Sequence, residues 1–285
     1  IALSFVQTAD DVREAKALLE GRAGILAKIE RPTAIENLDE IVAESDAVMV
    51  ARGDLGVELP LEQVPVEQRR IIRMCRSRGK PVIVATQMLE SMITSSAPTR
   101  AEASDVATAV YQGTDAVMLS AESAVGRHAE TAVAIMDRLI DAVENDPDHW
   151  ARLHDTSLRL EATSNDAIAH SAHDIAELLN CKAILAFTKT GSTALRMSRE
   201  RPRCKVLGLT PLEQTARRLA LAWGLHAVIT DDISSLREMI DRAERIACQQ
   251  GVAETGDVVI VTAGIPFGRP GTTNTLKIMT IGEDD

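Results

Sequence analysis

The sequence predicts an α/β protein in which a parallel sheet or barrel is followed by a second, open-sheet α/β domain. Short apolar runs without polar alternation take turns with amphipathic helical stretches, as in parallel sheets covered on both faces. Apolar residues make up 45% of the 285 residues but aromatic residues only 2%, so aliphatic side chains must fill the core. A polar, weakly patterned stretch near the middle separates two such series.

The first half contains five apolar runs that are predicted to form parallel strands. Val133, Met136 and Leu139 recur at helical spacing and predict a helix over residues 131–144. The first run reads as a strand already under way, and we therefore expect the chain to begin inside a domain. The five predicted strands are residues 1–6, 24–29, 47–50, 81–85 and 116–119.

The stretch 146–164 is predicted to be a linker between a first domain, 1–145, and a second domain, 165–285. Thr210, Pro211 and Glu213 have capping-box spacing, with proline at the first helical position, and predict a helix that begins at Pro211. Five strands do not close a barrel, so the second domain is expected to be an open sheet. Its predicted strands are residues 183–187, 205–209, 226–229, 257–262 and 275–281.

Composition argues against several function classes. The formal net charge of −11 disfavours nucleic-acid binding, because an acidic surface repels a phosphate backbone. No apolar run approaches the roughly 20 residues of a membrane span, and no signal peptide is recognisable. The four cysteines are far apart in sequence, which is typical of reduced thiols. We therefore expect a cytoplasmic protein that binds neither nucleic acid nor membrane.

The pair Lys28 and Glu30 lies at the end of the second predicted strand. Residues two apart on a strand point to the same face, so the two side chains project together. Active sites of α/β barrels form at the carboxyl ends of the strands. The pair is read either as a site for an anionic substrate beside a hard cation, or as an ordinary buried ion pair.

The next strand ends in a glycine-rich turn that contains Gly53, Asp54 and Gly56. The glycines allow a ligand to approach the backbone closely, and N–H groups near Gly53 and Asp54 are candidates to hold a carboxylate or phosphate. Asp54 would supply an oxygen ligand for Mg²⁺, which often takes one or two carboxylates. The other reading is a turn with a capping aspartate.

Two further strands also end in polar side chains. Thr86 follows the fourth strand, and Ser120 and Glu122 follow the fifth with the same parity. Each motif is weak alone. Four polar motifs at successive strand ends, however, indicate a site at one edge of the sheet.

A hydroxyl-rich glycine loop follows the first strand of the second domain. Its N–H and O–H donors and the start of the following helix would suit a phosphate, although the spacing is not that of a P-loop. The other reading is a polar turn with a helix cap. The loop consists of Thr188, Lys189, Thr190, Gly191, Ser192 and Thr193.

These motifs together resemble the pyruvate kinase family, and the resemblance extends along essentially the whole chain. It rests on Lys28–Glu30 and on residues 49–58, 85–92, 98–106, 115–122 and 271–274. The resemblance implies a partial (β/α)8 TIM barrel, comprising about its last five strands, followed by an α/β regulatory domain. The implied reaction is transfer of a phosphoryl group from phosphoenolpyruvate to ADP, giving pyruvate and ATP in glycolysis.

The family resemblance also implies roles for single residues. Glu30 and Asp54 would bind Mg²⁺ or Mn²⁺, and Lys28 would stabilise the phosphoryl group in transfer. The N–H groups of Gly53 and Asp54, with Thr86, would hold the substrate carboxylate. Thr86, with Ser120 and Glu122, would lie where the enolate is protonated. Residue 121 is Ala where the family usually has Gly.

For the second domain the resemblance implies a phosphorylated allosteric effector held by the loop 188–193. Arg269 and Gly271 would close over the same ligand. The effector could be a sugar bisphosphate, a sugar monophosphate or AMP. The resemblance further implies a homotetramer. Potassium dependence is also a family property, but the potassium ligands of the family have no counterpart in this chain.

Two other functions remain open from the sequence. If residues 1–6 are the fourth strand of the barrel, three strands and a lid domain are not represented here, and we expect this chain alone to be incomplete for catalysis. One alternative is therefore an effector-binding and oligomerisation fragment without turnover. The other is a metal-dependent aldolase or lyase acting on pyruvate enolate.

Overall fold

A computed structural model describes residues 1–155, 160–267 and 273–283, and the chain divides into two compact units, residues 1–158 and 159–285. The division falls inside the stretch 146–164. The first part of that stretch forms a helix, Pro147–Asp155, which belongs to the first unit. In the described residues, each unit contains one sheet of five strands.

The sheet of the first unit is entirely parallel, and its strands follow one another in chain order, β1-β2-β3-β4-β5. This arrangement is that of a segment of a (β/α) barrel, as the sequence predicts. The structure contains a strand at all five predicted places, and four of the five differ from the prediction only by small changes at their ends. The strands are β1 (Ala2–Leu3), β2 (Leu26–Ile29), β3 (Ala47–Ala51), β4 (Val82–Ala85) and β5 (Ala116–Met118).

The prediction that the first strand continues to residue 6 is wrong. Strand β1 ends at Leu3, and Phe5 has a left-handed backbone with φ of 59°. The Phe5 N–H donates to the Glu30 carboxylate instead of to a neighbouring strand. The apolar run therefore turns towards the end of β2.

Nine α-helices of the first unit lie in the described residues, together with two short 3₁₀ helices, Leu61–Gln63 and Glu90–Ile93. The helix predicted over 131–144 begins two residues earlier. The helices are α1 (Ala9–Leu19), α2 (Pro32–Glu36), α3 (Leu38–Glu44), α4 (Arg52–Glu58), α5 (Val64–Ser77), α6 (Arg100–Tyr111), α7 (Ala121–Ala124), α8 (Ala129–Glu144) and α9 (Pro147–Asp155).

The two faces of this sheet are both packed, because every residue of β3 and β4 is buried. Val48 and Val84 belong to the cluster that the strands share with the helices. Leu26, Met49 and Ile83 form a smaller cluster on the opposite face. Strand alternation places Lys28 and Glu30 on the same face as Leu26, so the packing of β2 fixes where the charged pair projects.

The second unit has the strand order β10-β9-β6-β7-β8, with β10 antiparallel to the others. This is the open sheet that the sequence predicts, and all five strands are confirmed. The strands are β6 (Ala183–Phe187), β7 (Lys205–Thr210), β8 (Leu225–Ile229), β9 (Val258–Ala263) and β10 (Thr275–Thr280). The helices are α10 (Ser164–Leu179), α11 (Ser192–Arg199), α12 (Glu213–Leu219) and α13 (Leu236–Gln249).

The predicted start of helix α12 at Pro211 is wrong. Thr210 is the last residue of β7 and is paired with Ile229 of β8. Its hydroxyl accepts a bond from the Leu212 N–H at 3.3 Å, and the helix begins at Glu213. Thr210, which the local sequence motif predicts as a helix cap, is instead part of strand β7 because it pairs with β8.

Within the described ranges, no helix has the length and apolar character needed to cross a membrane. All four cysteines are described and are free thiols. Burial raises the pKa of the Cys204 thiol to about 12.

Candidate functional site

The carboxyl ends of β2, β3, β4 and β5 lie side by side at one edge of the first sheet. The register pairs Ile29 with Val50, and Ala85 with both Ala51 and Met118. Each of these strand ends leads directly into one of the four polar motifs. The structure thus brings the predicted site residues to a common edge, which is where α/β proteins place their ligands.

Lys28 and Glu30 form a close ion pair at the end of β2. The Glu30 side chain is only 1% exposed, and its second oxygen accepts the Phe5 N–H at 2.8 Å. The Lys28 ammonium also donates to the Ser4 hydroxyl at 2.9 Å. A buried carboxylate is costly unless it is paired and hydrogen-bonded, and here both oxygens have a partner.

Ser4 and Phe5 were not predicted as part of this site. They lie in the turn after β1, and Phe5 stacks under the Arg31 guanidinium, 5.2 Å from its ring centre. The left-handed conformation of Phe5 carries no sequence signal, because glycine is the usual residue in that region. The turn orients the Lys28–Glu30 pair from the side of β1.

Gly53 and Thr86 meet between the ends of β3 and β4. The Gly53 N–H donates to the Thr86 hydroxyl oxygen at 2.7 Å, and that hydroxyl donates to the Ala85 carbonyl at 2.5 Å. Asp54 follows in the first turn of α4 and is exposed. Gly53 and Thr86, two of the three residues predicted to hold a substrate carboxylate, are therefore neighbours, although they are 33 positions apart in the chain.

Glu122 connects the two remaining strand ends. Its side chain is buried, and one carboxylate oxygen accepts the Leu89 N–H at 3.1 Å while the other accepts the Ser120 N–H at 2.7 Å. Ser120 precedes helix α7. The carboxylate therefore fixes the segment after β4 against the segment after β5.

Replacing Glu122 by alanine is expected to lower the free energy of unfolding by about 2 to 4 kcal/mol, because the buried Leu89 N–H and the partly buried Ser120 N–H lose their acceptor. Urea denaturation measures this loss. Glu36→Ala, an exposed change on helix α2, is the control and should cost less than about 0.5 kcal/mol. If both variants unfold at the same urea concentration, Glu122 does not hold the two segments together.

The loop after β6 in the second unit is closed by its own side chains. The Gly191 N–H donates to the buried Thr188 hydroxyl at 2.9 Å, and Gly191 has a φ of 92°. Thr190 and Ser192 hydroxyls lie 3.4 Å apart, and Thr193 bonds the Thr273 hydroxyl at 2.6 Å. The loop thus presents several hydroxyl groups at the start of α11, as its composition predicts.

Lys189 has a partner for its backbone carbonyl and another for its side-chain ammonium. Its carbonyl accepts the Thr215 hydroxyl at 2.9 Å, and its ammonium lies 3.6 Å from the Asp232 carboxylate. Sequence reasoning missed Asp232, which follows β8 and lies 43 positions further along the chain. Arg269 and Gly271, predicted to close over the same ligand, lie outside the described residues.

The topology places this loop at the switch point of the sheet. The parallel neighbours of β6 are β7 on one side and β9 on the other, so the connections leave β6 and β9 in opposite directions. In open α/β sheets, ligands bind at the carboxyl ends of the strands at such a point. The loop 188–193 begins there.

A buried ionic cluster fixes α11 beneath this loop. Asp166 of α10 accepts bonds from Arg196 at 2.8 Å and from Arg199 at 3.2 Å. Burial acts to raise the pKa of Asp166, but the Glu161 N–H and the two guanidinium groups outweigh it and lower that pKa. The neighbouring Asn165 accepts the Thr273 N–H at 2.6 Å. The cluster was not predicted, since its members come from two helices.

Comparison with known proteins gives matches over most of the chain. The family model for the pyruvate kinase barrel domain matches residues 1–133, and that for the pyruvate kinase alpha/beta domain matches residues 166–279. A pyruvate kinase of Methylorubrum extorquens is 55% identical over 98% of this chain and 58% of its own length. One from Agrobacterium vitis is 51% identical over 99% of this chain and 60% of its own length.

A solved structure shows the same fold. The crystal structure of a pyruvate kinase from Cryptosporidium parvum matches with a TM-score of 0.89 at 38% identity, covering 99% of this chain and 58% of its own. The chain thus spans about three fifths of the length of these relatives.

Proposed function

The chain belongs to the pyruvate kinase family, and on that basis we propose that the polypeptide carrying it transfers a phosphoryl group from phosphoenolpyruvate to ADP. The products are pyruvate and ATP. The observation that carries the proposal is the edge of the first sheet, where the Lys28–Glu30 pair lies one strand away from the Gly53–Thr86 bond. At that edge lie the Lys28 ammonium, the buried Glu30 carboxylate and groups that can donate hydrogen bonds.

Glu30 and Asp54 are the proposed ligands of Mg²⁺ or Mn²⁺. Hard oxygen donors suit both ions, and Mg²⁺ often takes one or two carboxylates together with substrate oxygens. Glu30 fits this role because each carboxylate oxygen has a second lone pair beyond the bonds to Lys28 and Phe5. When bound, the ion would neutralise negative charge on the substrate. Potassium dependence is proposed from the family alone, since no residue of this chain is assigned to that ion.

The remaining roles are proposed from the family relationship, and the charge and position of the residues support them. Lys28 offers a partly buried ammonium to the phosphoryl oxygens, where neutralising charge matters more than covalent help. The Gly53 and Asp54 N–H groups and the Thr86 hydroxyl are proposed to hold the substrate carboxylate, which would take the place of the Gly53–Thr86 and Thr86–Ala85 hydrogen bonds. Protonation of the enolate is proposed at Thr86, with Ser120 and Glu122 nearby. Because both Glu122 oxygens accept backbone N–H bonds, that residue acts in this proposal by orienting Ser120.

The proposal is tested with the polypeptide at its natural length, whose mass is measured first and compared with 30.8 kDa. We expect ATP to form from phosphoenolpyruvate and ADP when Mg²⁺ is present. A polypeptide longer than this chain that folds but forms no ATP would contradict the proposal. The alternatives of an aldolase or lyase, and of a fragment without turnover, gain no support from the comparisons.

The second unit is proposed to bind a phosphorylated allosteric effector at the loop 188–193. Support comes from the topology, which places the loop at the carboxyl end of β6, and from the hydroxyl groups around Gly191. Arg269 and Gly271 are proposed to complete the site. A homotetramer located in the cytoplasm is proposed from the family relationship, and light scattering of the purified protein tests the assembly.

The change Lys189→Glu is expected to weaken effector binding at least about tenfold, equivalent to about 1.4 kcal/mol, because it replaces the loop's ammonium with a carboxylate next to Asp232. Calorimetric titration with fructose 1,6-bisphosphate, glucose 6-phosphate and AMP measures the affinities. Lys182→Glu is the control, since Lys182 precedes β6 at the other end of the strand. If the affinity and the activation of the responsive ligand are unchanged in Lys189→Glu, the effector site lies elsewhere.

A further inference from the structure

The turn after β4 has an unusual backbone. Thr86 has a φ of 70° and Gln87 a φ of 54°, so two consecutive residues with side chains occupy the left-handed region. A β-branched residue is rarely found there, because its Cβ approaches the following carbonyl oxygen. Such a conformation persists only where its surroundings hold it in place, and it is common at functional sites.

The Arg52 side chain contacts several residues of this turn. Its guanidinium donates to the Thr86 carbonyl at 2.6 Å and to the Ala85 carbonyl at 3.3 Å, and lies 2.9 Å from the Met88 sulfur. The side chain is only 11% exposed. One planar group therefore contacts the residue before the turn, the turn itself and the residue after it.

Asp105 holds the Arg52 guanidinium through the nitrogen that does not contact the turn. Both oxygens of its carboxylate lie 2.6 Å from the same guanidinium nitrogen of Arg52. Asp105 belongs to helix α6, whose first turn is secured by the capping box of Thr99 and Glu102. The turn after β4 is thus linked through Arg52 to a helix with a well-defined start.

We propose that Arg52, oriented by Asp105, is a positioning residue that holds the Thr86 hydroxyl where the substrate carboxylate binds. Arg52 and Gly53 are consecutive, so the start of helix α4 contacts the turn after β4 at two points. The Arg52 side chain holds the Thr86 carbonyl, and the Gly53 N–H bonds the Thr86 hydroxyl at 2.7 Å. This inference rests on the proposed function, because the role of Thr86 in holding the substrate carboxylate is itself part of that proposal.

Removal of Arg52 should change how the substrate is held, and not only how stable the protein is. In the natural-length polypeptide, Arg52→Met is expected to lower kcat/KM for phosphoenolpyruvate about a hundredfold, a loss that a displacement of about 1 Å can cause. The KM for phosphoenolpyruvate should rise, and the KM for ADP should stay within about twofold. Arg52→Lys should recover only part of the loss, because an ammonium lacks the planar fork of donors.

A double-mutant cycle separates positioning from general stabilisation. If Arg52 acts through Thr86, Arg52→Met should cost little more once Thr86→Val has removed the hydroxyl, so the two losses will not add. Arg78→Met is the matched control, since Arg78 also pairs with an aspartate, Asp39, in the same unit. Additive losses, or an unchanged KM for phosphoenolpyruvate with a lower Tm, would overturn the proposal.

Hydrogen exchange gives a readout that does not depend on turnover. The Gly53 amide should exchange at least about tenfold faster in Arg52→Met than in the unmodified protein, and at an unchanged rate in Arg78→Met. If the unmodified protein makes no ATP, the proposed function fails. Hydrogen exchange then still tests whether Arg52 holds Thr86 in place. Equal Gly53 exchange in the unmodified protein and Arg52→Met would overturn the inference by itself.

Discussion

Lys28→Met in the natural-length polypeptide is expected to reduce ATP formation about a thousandfold, or by about 4 kcal/mol of activation free energy. The ammonium is the group proposed to face the phosphoryl oxygens, and methionine keeps much of its length without its charge. In the structure Lys28 pairs with Glu30 and bonds Ser4. Mn²⁺ binding should therefore be kept or become tighter, because Glu30 loses a competing cation.

The measurement combines single-turnover phosphoryl transfer with a Mn²⁺ titration. Lys16→Met on helix α1 serves as the control, since the structure describes no ion pair for Lys16 in any of its three ranges. A transfer rate of Lys28→Met within about tenfold of the unmodified rate, or about 1.4 kcal/mol, would remove Lys28 from the mechanism.

The strands were predictable because their signal is local. An apolar run without alternation marks a strand that is buried on both faces, and residues 47–51 and 183–187 are buried throughout. Prediction failed where a partner distant in sequence decides the conformation. Phe5 leaves β1 because Glu30 accepts its N–H, and Thr210 stays in β7 because β8 pairs with it.

The placement of the candidate site residues was predictable from the sequence, but the partners of those residues were not. Strand parity placed Lys28 and Glu30 on one face, and the structure joins them. The contact of Arg52 with Asp105 spans 53 positions, and no spacing rule in the sequence predicts such a pair. The only local signal for Arg52 was its place beside Gly53 at the end of an apolar strand.

Glu30→Gln is expected to weaken Mn²⁺ binding at least about tenfold and to reduce ATP formation about a thousandfold. The amide keeps the size of the side chain, and its oxygen can still accept the Phe5 N–H. The negative charge is lost, so Lys28 is left beside a neutral group. Circular dichroism should show an unchanged fold, and Glu36→Gln on α2 is the matched control.

The two variants together decide between the readings that the sequence left open for this pair. An ordinary ion pair has two equivalent partners, so removing either should cost stability and leave Mn²⁺ binding unchanged. A metal ligand and a phosphoryl-binding cation are not equivalent. Glu30→Gln should weaken Mn²⁺ binding, whereas Lys28→Met should keep or strengthen it, because only Glu30 can donate an oxygen to the ion. If both variants bind Mn²⁺ as tightly as the unmodified protein does, the pair serves the fold alone.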